Sequence, residues 1–174
     1  VPLALLDQPW LGDQKVLVLE PRRLAARAAA DRMAASLGQK AGETVGYRTR
    51  LQSRIGPETR IEVITEGVFT RMILDDPGLE GVGAVLFDEF HERSLDADLG
   101  LALARESQSV LRDDLRLLVM SATLDIAGVS RLLANPSGEV APVIEAEGRM
   151  FPVETLYLGR NVAERFEDAV ARAV

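Results

Sequence analysis

Val82-Gly83-Ala84-Val85-Leu86-Phe87-Asp88-Glu89-Phe90-His91 runs from six uncharged residues straight into two adjacent carboxylates. The apolar half is short and branched, as in a strand buried on both faces of a parallel sheet. The acidic half falls where such a strand opens into a loop. In open α/β sheets the ligand crevice lies outside the carboxyl ends of the strands. A first carboxylate there, Asp88, suits a magnesium ion held through water, because Mg²⁺ takes oxygen ligands and keeps much of its hydration. A second, Glu89, suits the orientation and deprotonation of an attacking water. The alternative is that both residues cap the following helix and favour its positive end.

Outward from this stretch, strand-like and helix-like segments alternate, which predicts an α/β fold with a mostly parallel sheet and crossover helices. Strands are expected at Lys15 to Leu19, Thr44 to Thr49, Arg60 to Ile64, Val82 to Phe87 and Leu115 to Met120. Two more are expected late, at Val143 to Ala146 and Val153 to Leu158. Pro21 stands where the first turn of an alanine-rich helix would begin, and that helix runs from Arg22 to Leu37 before Gly38. Further helices are expected at Glu66 to Leu74, Leu95 to Leu111, Ile126 to Leu133 and from Ala163 onward. Val1 to Leu6 reads as helix interior without a start signal, and the last helix has no cap, so the chain reads as a piece of a longer protein.

The bulk numbers set limits. The 174 residues suit a sizeable core, and 47% hydrophobic with 27% charged residues is an ordinary globular composition. There is no cysteine, so disulfides and thiolate metal sites are excluded. No apolar run approaches the roughly 20 residues of a membrane span and no signal peptide opens the chain, so a cytoplasmic location without membrane contact is expected. A net charge of −7 opposes a surface that attracts nucleic acid everywhere, though not local phosphate contacts.

The strand ends carry the chemistry. They read Glu20-Pro21-Arg22-Arg23, Thr65-Glu66-Gly67, Asp88-Glu89-Phe90-His91 and Ser121-Ala122-Thr123. If the strands are parallel, the four clusters share one edge of the sheet. Three of them begin helices, whose free amides and positive ends suit phosphate groups.

These segments resemble, in order and spacing, the first RecA-like domain of a superfamily 2 DExH-box helicase of the DEAH/RHA group, most closely the bacterial HrpB type. PRRLAARAAA is similar to motif Ia, VGYRTR to the segment after it, TEGVFTRM to motif Ib, DEFH to the Walker B motif II and SAT to motif III. EGRMFPVE resembles the stretch leading out of that domain. The resemblance implies a RecA-like P-loop NTPase fold with helices on both faces, over residues 1–150, with 151–174 as an exit strand and the start of the path to a second RecA-like domain. It implies an ATP-dependent RNA helicase coupling MgATP hydrolysis to movement on RNA, with ATP and Mg²⁺ as cofactors. Asp88 would hold the Mg²⁺ through water and Glu89 would polarise the attacking water. His91 would link the nucleotide site to the second domain, and Ser121 and Thr123 would couple nucleotide state to domain movement. Ser121 and Thr123 also read as a helix cap, and such a hydroxyl can bridge to the DEFH loop as well. Arg22, Arg23, Thr65 and Gly67 would hold the RNA backbone, which positions a strand without reading its sequence. Arg48 and Arg71 are secondary candidates, because isolated surface arginines are usually solvated or paired. Aromatics at 5% oppose base-stacking platforms. RNA is the expected partner, with DNA left open.

The phosphate loop G-x-x-x-x-G-K-[ST] does not occur in the sequence. In the family it ends just before a helix resembling VPLALL, which implies that the chain starts directly after it and, alone, does not hydrolyse ATP appreciably. The fold would then lack its Walker A strand. Either Val143 to Ala146 covers the exposed side of Leu115 to Met120, or that apolar edge stays open. The alternatives are a non-catalytic RecA-like scaffold and a metal-dependent hydrolase using Asp88, His91 and Glu92. The latter has one histidine and no H-E-x-x-H pair.

Overall fold

The computed structural model describes residues 1–122, 126–135, 137–146, 152–155, 157 and 165–173. They fall into two compact units, Val1–Val143 and Ile144–Val174. The first unit contains α1 (Pro2–Leu5), β1 (Lys15–Glu20), α2 (Arg23–Ser36), β2 (Val45–Arg48), β3 (Ser53–Arg54) and β4 (Ile61–Thr65). It continues with α3 (Glu66–Asp75), β5 (Val82–Phe87), a 3-10 turn at Phe90–Glu92, α4 (Leu95–Val110), β6 (Arg116–Val119) and α5 (Ile126–Leu132). The second unit holds α6 (Phe166–Ala173).

The six strands form one sheet in the order β3-β2-β4-β1-β5-β6. Every pair is parallel except the short β2–β3 pairing. Side chains alternate between the faces of a strand, and the central strands are apolar in both registers save for Glu62 within β4 and the residues at the strand ends. Leu17, Leu19, Ile64, Val85 and Phe87 enter one core with Phe69 and Ile73 of α3 and Ala97, Leu101 and Ala104 of α4. Val16, Val18, Ile61, Val63, Ala84 and Leu86 enter the other with Ala26, Ala30 and Ala34 of α2. Helices therefore cover both faces, as expected. The alanines recur every fourth residue, a narrow stripe that lets α2 lie close against the sheet. On the other face Gly100 permits a similar approach, because a Cβ there would stand 3.1 Å from the Phe69 ring.

Several expectations need correction. Pro21 lies outside α2, whose N-cap is Arg22, so the helix starts at Arg23. The hairpin strand β3 was not expected; two exposed residues leave no hydrophobic pattern to read. Val143 to Ala146 forms no strand. The chain just before it is tied to α5, with Ala141 N–H donating to Ser130 O at 3.1 Å, while Ile144 is 93% exposed and has no face to bury. In Val153 to Leu158 the described residues form no strand either, and Leu156 and Leu158 lie outside the described residues. The last helix spans Phe166–Ala173, and Ala163, where it was expected to begin, lies outside the described residues. Of the two outcomes foreseen for Leu115 to Met120, the open edge is found: β6 ends the sheet among the described residues, with Leu118 36% exposed. Among the described residues no helix is long and apolar enough to cross a membrane.

Candidate functional site

β4, β1, β5 and β6 are consecutive and parallel, so their carboxyl ends form a row. Thr65 ends β4, Glu20 ends β1, Asp88 and Glu89 follow β5, and Ser121 follows β6. The clusters read from the sequence are brought together here. Thr123 lies outside the described residues.

Asp88 is fixed by the sheet: its N–H donates to Leu19 O at 3.0 Å, and its Oδ1 accepts from Glu89 N–H at 2.9 Å. The capping alternative for Asp88 and Glu89 does not hold for the helix that follows. A 3-10 turn intervenes, and α4 is capped by Ser94, whose Oγ accepts from Ala97 N–H at 2.9 Å. Glu89 makes no side-chain cap bond to that turn. It stands in the left-handed region at φ 49° and ψ 34°, a conformation that costs about 1–2 kcal/mol for a non-glycine residue and clusters at functional sites. The next residue shows what holds it there. Phe90 is buried edge-on to Phe87 at 6.2 Å, and its N–H donates to Met120 O at 3.1 Å. With Phe90 anchored in the core, the exposed Glu89 carboxylate is turned out over the edge.

His91 lies half-buried beside it. Its Nδ1 is 3.2 Å from Ser121 Oγ and 3.4 Å from Glu89 Oε2. The hydroxyl after β6 thus touches the loop after β5, which is the bridge that the sequence left open.

Glu20 is the residue that sequence reasoning placed in the row without giving it a role. It is only 7% exposed. Leu19 pairs with Phe87 across β1 and β5, so Glu20 falls beside Asp88. Burial first, and then the charges of Asp88 and Glu89, push its carboxyl up to about 7, helped by a hydrogen bond with Asp88. The signal in the sequence was an acidic residue ending an otherwise apolar buried strand.

This edge fits a divalent cation bound together with phosphates. One carboxylate, Asp88, is half-exposed at the strand end, and the negative charge of Asp88 and Glu89, which adds to burial in raising the Glu20 carboxyl, is the field a cation relieves. Among the described residues no cluster of three or more acidic or histidine side chains forms a full ligand set. That suits Mg²⁺, which takes one or two carboxylates and completes its shell with water and phosphate oxygens. It does not suit the alternative of a protein-only metal site from Asp88, His91 and Glu92. Glu92 Oε1 instead accepts from Arg22 Nη2 at 2.8 Å, and His91 faces Ser121.

The basic candidates separate. Arg22 and Arg23 stand exposed at the start of α2, and Thr65 is the N-cap of α3 with Gly67 in its first turn. Neither Arg22 nor Thr65 makes a side-chain cap bond, so the amides of both helix starts keep their capacity for an anion. Glu66 of α3 accepts from Ser94 Oγ at 2.5 Å, which ties the start of α3 to that of α4. Arg48 is not brought into this group: its Nη2 donates to the buried Glu62 at 2.8 Å, and Lys15 Nζ donates to the same carboxylate. Arg71 is exposed on α3, 4.0 Å from Asp75.

The sheet order, the two helical layers and the row of strand ends match a RecA-like fold, and the chain is homologous to a segment of the DExH-box helicases. Among its relatives is the ATP-dependent RNA helicase HrpB of Escherichia coli, 56% identical over 173 residues, which cover 99% of this chain and 21% of HrpB. The crystal structure of that DEAH/RHA helicase superposes with a TM-score of 0.84 at 57% identity, over 99% of this chain and 21% of that one. More distant are the ATP-dependent RNA helicase HrpA homolog of Haemophilus influenzae (38% over 138 residues, 79% of this chain and 10% of the relative) and a probable human ATP-dependent RNA helicase, DHX35 (33% over 181 residues, 100% of this chain and 26% of the relative). The chain thus spans about a fifth of the length of HrpB. No protein-family model matches it.

Proposed function

We propose that this chain is the part of an ATP-dependent RNA helicase that carries the carboxylate half of the nucleotide site and part of the path for the RNA backbone. The observation that carries this reading is the single row of strand ends, in which Asp88-Glu89-Phe90-His91 lies between Ser121 on one side and two uncapped helix starts on the other. When bound, MgATP brings the phosphoanhydride bond to be broken and a metal charge that stabilises the phosphates.

Asp88 holds the Mg²⁺ through water. Glu89, turned out by its left-handed backbone, orients the attacking water and accepts its proton. His91, positioned by Ser121, faces the partner domain, and Ser121 with Thr123 passes the state of the nucleotide site to that domain. Arg22, Arg23, Thr65 and the amide of Gly67 hold backbone phosphates of RNA, which neither excludes DNA nor requires a base sequence. Residues 1–150 act as the RecA-like domain and 151–174 lead toward the second one, in a cytoplasmic protein. Arg48 has the structural task of neutralising Glu62, and Arg71 takes a peripheral place.

The test is ATP turnover by the full-length protein with and without single-stranded RNA. This reading expects turnover to rise several-fold on RNA addition and Arg23→Ala to lower RNA affinity with a shallower salt dependence. Turnover indifferent to RNA would contradict it, and so would an Arg23→Ala protein with unchanged salt dependence.

A further inference from the structure

The ion pair between Arg22 and Glu92 joins the two halves of the edge. Arg22 is the N-cap of α2, 71% exposed, on the side proposed for the RNA backbone. Glu92 closes the 3-10 turn that follows Asp88 and Glu89, and its N–H donates to Glu89 O at 2.9 Å. Their side chains meet at 2.8 Å across 70 residues of sequence. Among the described residues Arg22 is the only arginine or lysine paired with any of the four carboxylates crowded here, Glu20, Asp88, Glu89 and Glu92, while His91 lies beside Glu89.

We propose that Glu92 is a positioning residue that competes with an RNA phosphate for Arg22, so that RNA arriving at α2 releases the turn that directly follows Asp88 and Glu89. The proposal rests on the helicase reading above. Two properties of the pair favour it. The pair is exposed, and pairs of this kind are weak. A phosphate oxygen offers the same guanidinium a charge-assisted bond that can be bidentate, and can therefore displace the carboxylate. The turn has the means to respond: it is only three residues long, and its covalent neighbour Glu89 already occupies a strained backbone state. Pairing with Arg22 holds its far end, while Phe90 holds its near end in the core.

The experiment is a double-substitution cycle in the full-length protein, with E92Q, R22A and the pair of changes together. It reads RNA affinity without nucleotide and ATP turnover with and without RNA. Glu92→Gln is isosteric and removes the competing charge. The proposal expects it to tighten RNA binding about two- to fivefold, the factor an exposed ion pair is worth. It also expects RNA-free turnover to rise at least about twofold, so that the ratio of RNA-stimulated to RNA-free turnover falls. The tightening should vanish in the R22A background, because a general loss of negative charge would act there too. Equal tightening in both backgrounds, or unchanged RNA-free turnover in E92Q, overturns the proposal while leaving the helicase reading intact. A parent protein whose turnover ignores RNA overturns both. A folded-state check by circular dichroism on each variant separates loss of structure from loss of coupling.

Discussion

At the scale of single residues the edge is set by one buried acid. Glu20 sits against Asp88 with its carboxyl raised from 4.5 to about 7. Between those values the folded chain keeps a proton that the unfolded chain has released, so stability falls as pH rises through that window. The cost is fully present above about pH 7 and absent below pH 4.5. Glu20→Gln should therefore stabilise the domain at pH 8, by on the order of 1–3 kcal/mol, and leave it unchanged at pH 4. Urea unfolding at the two pH values checks this; an equal gain at both would mean that packing and not charge is responsible. Glu62 is the contrasting case. It is still more deeply buried, but Lys15 and Arg48 each bond one of its oxygens at 2.8 Å. Removing the charge of such an acid strands two cations, so Glu62→Gln should destabilise by about 1–3 kcal/mol in the same experiment.

At the scale of elements the return from α4 to β6 depends on one guanidinium. Arg112 Nη1 donates to Gly78 O at 2.7 Å and Leu79 O at 2.9 Å, and its Nη2 to Val82 O at 2.8 Å. Asp114 holds the other side of the group at 2.7 and 2.8 Å. The turn after α4 is thereby locked to the loop before β5, which sets the register in which Ala84 pairs with Arg116. Arg112→Ala should lower unfolding stability by about 2–4 kcal/mol, since it leaves three carbonyls to find other donors. β6 itself has a neighbour on one side only among the described residues. In this 174-residue chain its outward amides should exchange with solvent orders of magnitude faster than those of β1, which is paired on both sides. Equal protection of the two strands would show that something covers the edge.

At the scale of the whole molecule, the sheet was readable wherever burial on both faces left unbroken apolar runs. β1 and β5 are of that kind, β4 departs from it only at Glu62, and the bounds of all three agree with the sequence to within a residue. The reading failed where the pattern was not tied to burial. Val143 to Ala146 has the composition of a strand, but among the described residues nothing pairs with it, and Ile144 lies open to solvent. The site was legible as far as covalent order carries it. Asp88, Glu89, His91 and Ser121 follow directly from strand ends, and parallel pairing does the rest. Glu20's raised carboxyl, the left-handed Glu89 and the reach of Arg22 to Glu92 arise from register and from packing around Phe90, neither of which composition encodes. The central claim is that this edge is the water-activating side of an ATP site worked by RNA. Its most direct test is RNA-saturated ATP turnover by the full-length protein and by its Glu89→Gln variant, with nucleotide binding measured beside it. The account predicts a loss of about 100-fold or more in turnover, the usual scale for removing a general base, with ATP binding retained. Turnover within about twofold of the unsubstituted protein would contradict it.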